Sequence, residues 1–368
     1  MSSIGARPQL PRNNDDLNAA WLTQVMRADG LDVTVASLRR ESLGEGVGLM
    51  SGLERLCIEY AEGDGPEVLI LKRPSDNDAN RSVASLFDLY RREVLFYRDV
   101  ADRCAATMPG IYYADIDGDD FTLIVEDLSS RVLGDQIAGA TLDQAQAVMR
   151  WMGRLHASFW DRVEDDTLEF LPMVHPSYSS EGLMQGAAFG WDPMVENFAE
   201  VIPTHLAGLK DRFLAALPTI FEWMATAPLT VIHGDVRMDN LFFGASAEDE
   251  PVVAVDWQGA LRGRAAQDLG YFMGGNLPTE IRREHEQDLI GAWHTELTAS
   301  GVSDYTADDA WRDYRRGMLF SLTHATVIAG TLDHTNERGR RYVTEMVRRV
   351  FAAIDDLALV ELIDEILA

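Results

Sequence analysis

A short apolar run, Val231-Ile232, opens onto the polar loop His233-Gly234-Asp235-Val236-Arg237-Met238-Asp239-Asn240 and closes on a second run, Leu241-Phe242-Phe243. After the acidic turn at 246–251, a third run, Val252-Val253-Ala254-Val255, ends on Asp256. Runs this short, β-branched or aromatic and bounded by turn formers, read as strands, expected over 230–233, 241–244 and 252–256. The chain is therefore expected to carry Asp235 and Asn240 on a loop between strands, with Asp256 delivered at the end of the next one. Phosphoryl transfer uses such an arrangement. One carboxylate orients an attacking hydroxyl and accepts its proton, while an amide oxygen and a second carboxylate hold magnesium against phosphates. Few hard oxygen ligands, leaving room for water and phosphate, suit Mg²⁺.

The segment upstream of this frame reads as mixed strand and helix. Leu17, Trp21, Leu22 and Val25 share one face of an expected helix over 15–29. Strands are expected at 33–43, 55–60 and 68–72, the first two joined through Gly44-Glu45-Gly46-Val47-Gly48 and the last two through Gly63-Asp64-Gly65-Pro66. Leu86, Leu89, Tyr90, Val94 and Tyr97 recur at threes and fours and predict a helix over 80–104. Two more strands, 110–116 and 121–125, flank the turn Asp117-Gly118-Asp119-Asp120. The expectation is a small sheet carrying one helix, followed by a polar link at 126–131.

The remainder is mostly helical. Thr141-Leu142-Asp143-Gln144 has the form of a capping box, and Val148, Met152, Leu155 and Phe159 then line one face of a helix over 141–160. Residues 165–228 are rich in Gly, Pro and aromatics and give no clear period. Helices are expected at 311–328, 337–354 and 357–367. The fold class is thus α+β, with a small unit over 1–128 and a larger, mainly helical one over 129–368.

Composition narrows the partners. Among 368 residues, 60 acidic and 32 basic side chains leave a formal charge of −28. That field repels nucleic acid and anionic lipid, whose binding draws on clustered Lys and Arg. It would attract a cationic substrate, although solubility is the simpler account of it and the one preferred. Cys57 and Cys104 have neither metal-type spacing nor a disulfide framework and are expected as buried free thiols. No run of about 18 apolar residues is present, and the first 14 residues carry no apolar core of a signal peptide. A cytoplasmic protein working off the membrane is the expectation.

His233-Gly234-Asp235 followed by Asn240 resembles the H-G-D-x-x-x-x-N motif of aminoglycoside phosphotransferases and choline kinases, relatives of the protein kinases. Protein kinases carry Arg at the middle position, where this chain has Gly234. The wording Val255-Asp256-Trp257-Gln258, with Asp268-Leu269-Gly270-Tyr271-Phe272 after it, is most similar to the ecdysteroid-kinase-like branch. Val125-Glu126-Asp127-Leu128 and Leu155-His156-Ala157-Ser158-Phe159-Trp160 extend the likeness. The resemblance implies a bilobal protein-kinase-like fold with the reaction in a cleft between lobes. It implies Asp235 as catalytic base and Asn240 and Asp256 as Mg²⁺ ligands. On the nucleotide side it implies Lys72 on the α- and β-phosphates, steadied by Glu93, and a phosphate-covering turn at Gly46. Backbone groups of Glu126 and Leu128 would hold the adenine of ATP, with GTP left open.

Lys72 and Glu93 are also types that commonly face solvent, and the glycine turn alone has only its position to recommend it. His156 and His233 are expected to buttress the loop, and Asp268 either to cap its helix or to tie the loop's amides. Arg91 and Arg92 are expected at the surface. The implied acceptor is a small hydroxylated molecule, a metabolite or an antibiotic, and an aminoglycoside kinase conferring resistance is one reading. Residues 165–228 are the expected source of acceptor contacts, with Phe189, Trp191 and Phe198 serving either there or in the core. A nucleotide-binding pseudokinase is the rival from another class, and the presence of Lys72, Asp235, Asn240 and Asp256 together argues against it. Oligomeric state is left open.

Overall fold

The computed structural model describes residues 8–43, 50–246, 249–331 and 336–368. The chain forms two compact units, Met1–Asp102 with Met108–Ser130, and Arg103–Thr107 with Arg131–Ala368.

In the first unit, helix α1 (Ala19–Ala28) starts where the Asn18 side chain accepts the Trp21 amide, and it buries Trp21, Leu22, Val25 and Met26. Strands β1 (Thr34–Ser42), β2 (Ser51–Glu62) and β3 (Val68–Pro74) precede helices α2 (Asp78–Leu86) and α3 (Leu89–Leu95). Strands β4 (Ile111–Asp117) and β5 (Asp120–Glu126) complete an antiparallel sheet of order β1-β2-β3-β5-β4. Strand β3 is central, with Lys72 paired to Leu53 on one side and Leu123 on the other. Helix α1 packs on the sheet through Leu22, Val25 and Met26 against Val35, Leu56, Leu69 and Ile124. That layer removes several apolar side chains from water, each worth about 1.5–3 kcal/mol.

The helix expected over 80–104 is interrupted. Asp88 takes a left-handed conformation (φ 54°) between α2 and α3. A π-helical turn, Phe96–Val100, and a 3₁₀ turn, Ala101–Arg103, then close the segment. Asp is among the few residues that visit this region at low cost, so the apolar spacing survives a break it cannot reveal. Arg92, expected at the surface, is 5% exposed and donates to the Phe87 carbonyl. Cys57 and Cys104 are half-buried rather than buried.

The second unit begins with β6 (Val132–Leu133) and α4 (Leu142–Phe159). The capping box on α4 forms, with Thr141 Oγ1 and Gln144 Oε1 each accepting the other's amide. Residues 165–228 hold two helices, α5 (Tyr178–Asn197) and α6 (Lys210–Met224). Strands β7 (Thr230–Ile232), β8 (Leu241–Phe243), β9 (Val252–Ala254) and β10 (Leu261–Gly263) form two small sheets, β6-β8-β9 and β7-β10. Helices α7 (Ala266–Gly275), α8 (Thr279–Ala299), α9 (Ala307–Thr331), α10 (Glu337–Asp356) and α11 (Leu359–Leu367) follow. Helix α9 packs against α5, α7 and α10. It comes so close to α7 that a Cβ on Gly317 would collide with the Ala266 carbonyl. Among the described residues, no helix is long and apolar enough to cross a membrane.

Candidate active site

The loop 233–240 is held at both ends by strand pairing. Ile232 of β7 pairs with Leu261, and Leu241 of β8 pairs with Ala254. Between these anchors the backbone turns through Gly234 at φ +80°, where a Cβ would strike the Gly259 carbonyl. Only glycine satisfies both constraints. This is the physical reason the middle position of the motif has no side chain.

Asp268, fully buried on α7, fastens the loop from beneath. Its Oδ2 accepts the His233 amide at 2.8 Å and its Oδ1 the Gly234 amide at 2.9 Å. His156 Nε2 lies 3.3 Å from the same Oδ2, and His156 Nδ1 accepts the Trp293 indole at 3.1 Å. That second bond makes Nε2 the protonated nitrogen, so His156 donates to Asp268. His233 is used at both ring nitrogens. Nε2 donates to the Val255 carbonyl at 3.1 Å, and Nδ1 accepts the Asp235 amide at 3.3 Å. Both histidines therefore support the loop, and Asp268 ties amides rather than capping its helix.

Asn276, past the end of α7, accepts the Met238 amide through Oδ1 at 2.9 Å, and Gln136 Oε1 accepts it at 2.8 Å. Arg349 of α10 donates to the carbonyls of Gln136, Ile137 and Gly275. The loop's backbone polar groups thus find partners inside the unit, as buried groups must.

Asp235 projects from this braced loop with its side chain 30% exposed. The Tyr271 hydroxyl donates to Oδ1 at 2.9 Å, and Asn240 Nδ2 donates to Oδ2 at 3.0 Å. Arg237 Nε stands 3.3 Å from Oδ2, near enough for charge pairing but without hydrogen-bond alignment. Asp235 in turn raises the Arg237 pKa. Burial, then the neighbouring Asp235 charge, holds the Tyr271 hydroxyl well above its ordinary pKa. Burial likewise pushes Tyr342 of α10 up to about 12 against the pull of Arg237. His324 of α9 meets the Tyr271 ring edge-on at 4.8 Å, and burial lowers its pKa.

Asn240 spends its amide nitrogen on Asp235 Oδ2 and on the Asp235 carbonyl, both at 3.0 Å. Its amide oxygen is then the group turned to other use. The Val255 amide donates to the Asn240 carbonyl at 3.0 Å, which sets the residue before Asp256 beside Asn240. Asp256 adopts a left-handed conformation, φ 68° and ψ 65°, a region that Asp visits more readily than most non-glycine residues. An amide oxygen and a carboxylate are both hard donors. They fit a Mg²⁺ ion that keeps its remaining positions for water and phosphate.

In the first unit, Lys72 Nζ donates to Glu93 Oε1 at 2.7 Å, with Lys72 8% and Glu93 1% exposed. The solvent-facing alternative for this pair does not hold. The Tyr90 hydroxyl seats α3 by donating to the Met50 carbonyl and accepting the Ser75 amide. The Glu126 amide is spent on the Gly110 carbonyl at 2.8 Å, so its own carbonyl is what could face a base; Leu128 is buried. The glycine turn with Gly46 lies outside the described residues.

Sequence reasoning missed Tyr271 and Arg237, the neighbours of the Asp235 carboxylate from outside the motif's spaced residues. Arg237 was legible in principle, two residues past Asp235. Tyr271 reaches it across 36 residues, and only the Asp268-to-Phe272 wording pointed there. Of the aromatics at 189–198, Trp191 and Phe198 are core residues at 1% and 0% exposure, and Phe189 is 77% exposed. A cavity of about 920 Å³ bordered by Trp160, Trp223, Arg264, Tyr305 and Arg316 includes none of the candidate residues in its lining.

The sequence profile of the ecdysteroid kinase-like family matches residues 45–301. No curated protein matches the chain. A choline kinase from Cryptosporidium parvum superposes with a TM-score of 0.53 at 12% identity, covering 90% of this chain and 94% of that one. The GDP complex of wild-type aminoglycoside 2'-phosphotransferase-IIIa superposes at 0.51 with 13% identity, covering 91% and 98%. At such identities the likeness is one of fold, and that fold is the α+β, kinase-like one.

Proposed function

The chain belongs to the ecdysteroid kinase-like family, and from that premise we propose that it transfers the γ-phosphoryl of ATP to a hydroxyl of a small organic molecule. The observation that carries this reading is the Asp235 carboxylate, anchored by Asn240 and Tyr271 on a braced loop and partly open to solvent. Asp235 orients the acceptor hydroxyl and takes its proton as the oxygen bonds to the γ-phosphorus and the bond to the β,γ-bridging oxygen of the leaving ADP breaks. Asn240 and Asp256 would hold Mg²⁺, which would neutralise charge on the phosphates when bound. Lys72, fixed by Glu93, is assigned to the α- and β-phosphates. Gly46 and the backbone of Glu126 and Leu128 are assigned to the nucleotide, with GTP as the alternative donor.

The acceptor is assigned only as a hydroxylated small molecule, because fold does not name a substrate. The direct test incubates the protein with γ-labelled ATP and Mg²⁺ against a panel of sterols, sugars, amino alcohols and aminoglycosides. Label appearing in an acceptor, and lost on chelating Mg²⁺, is the expected result. Nucleotide binding with no transfer to any acceptor and none to water contradicts it.

A further inference from the structure

An ionised carboxylate is an acceptor only, with about four lone-pair sites over its two oxygens. At Asp235 these sites are not equivalent. Oδ2 accepts Asn240 Nδ2 at 3.0 Å and faces Arg237 at 3.3 Å, whereas Oδ1 accepts the Tyr271 hydroxyl at 2.9 Å. We infer that Tyr271 is a positioning residue, whose donated hydrogen bond presents the second lone pair of Asp235 Oδ1 to the proton of the acceptor. The inference rests on the phosphotransfer reading and deepens it, since it states which oxygen works and on which side the acceptor hydroxyl docks.

Tyr271 is well placed for the task. It lies three residues beyond Asp268 on α7, so both side chains leave the same helix face. One holds the loop's amides and the other its carboxylate. The Tyr271 ring is 7% exposed and rests against His324 at 4.8 Å, with Phe320 of the same helix at 6.5 Å. The ring is thus held by packing that phenylalanine would keep, and the hydroxyl by Asp235 alone among the described hydrogen bonds. A hydroxyl that stays protonated donates throughout the working pH range, which agrees with the burial that raises the Tyr271 pKa. In the transfer step the acceptor's proton passes to Oδ1, opposite the oxygen committed to Asn240. The acceptor hydroxyl therefore approaches beside the Tyr271 hydroxyl, against α7 and α9.

The test uses the full chain with MgATP and water as the phosphoryl acceptor, and mant-ADP as the nucleotide probe. Tyr271→Phe, Asp235→Asn and the double variant are compared with wild type. Removing a hydrogen bond to a charged group is expected to lower kcat about tenfold or more. The Kd for mant-ADP should stay within about twofold, because nothing in this contact touches nucleotide. Because Tyr271 acts through Asp235, adding Tyr271→Phe to Asp235→Asn should leave the residual turnover unchanged. A purely structural role would lower both backgrounds alike. Tyr271→Phe turning over like wild type, or the two losses multiplying, overturns the inference while a slow Asp235→Asn still supports the reading beneath it. Asp235→Asn as fast as wild type overturns the reading, and the role of Tyr271 with it.

Discussion

At Gly234 one added methyl group would have to overcome two obstacles, a backbone at φ +80° and the Gly259 carbonyl 2.1 Å from where its Cβ would stand. Gly234→Ala should therefore lose about 1–3 kcal/mol of stability, read as a fall in the denaturant midpoint, and the collision with backbone places it at the upper end. The buried Lys72–Glu93 pair makes a different demand. Lys72→Met leaves a carboxylate at 1% exposure without its cation, a change that costs about 3–5 kcal/mol. Lys72→Met with Glu93→Leu should recover much of that loss in a chemical melt and still fail to turn over. If the double variant is no more stable than the single one, an uncompensated Glu93 charge is not the source of the loss. At this scale the motif residues were legible because their chemistry fixes type and spacing. Tyr271 was not, because a hydrogen bond spanning 36 residues leaves no periodic trace.

Elements divide by whether their surroundings write a pattern into them. Helix α4 has a capping box and one buried face, and both are visible in its residues. Thr141→Ala should cost about 1 kcal/mol, measurable by thermal melting. Helix α7 is buried on every side and its first residue follows Ala265, which makes no capping bond. A helix without a polar face shows no alternation of apolar and polar residues along its turns. The element that presents Asp268 and Tyr271 therefore carries no periodic signature. Helices α5 and α6 each contain a proline, Pro193 and Pro218, where a break is the ordinary expectation. Helix α9 carries a test of its own. Burial lowers the His324 pKa, and its Nδ1 has no hydrogen-bond partner among the described residues. A folded state that resists protonation loses stability as pH falls below about 6.5, where the unfolded chain takes the proton up. Melting temperature should decline from pH 7 to 5, and His324→Leu should flatten that decline. An equal decline in both proteins would place the acid sensitivity elsewhere.

For the whole molecule, the formal charge of −28 is a self-repulsion that added salt screens. The melting temperature should rise between about 10 and 200 mM NaCl, and a fall would mean that attractive surface pairs outweigh the net charge. The fold class was readable because the strand order and the loop 233–240 are local features. The acceptor was not, because the side chains around Asp235 come from α7, α9 and α10, far apart in the chain. Residues 165–228 supply core aromatics in Trp191 and Phe198 and an exposed one in Phe189. The central claim is phosphoryl transfer from ATP with Asp235 as the base, and the most direct measurement pairs ATP turnover with nucleotide binding in Asp235→Ala. Turnover lost by about a thousandfold or more, with the Kd for mant-ADP unchanged, is the predicted result. Turnover near that of wild type would contradict the account.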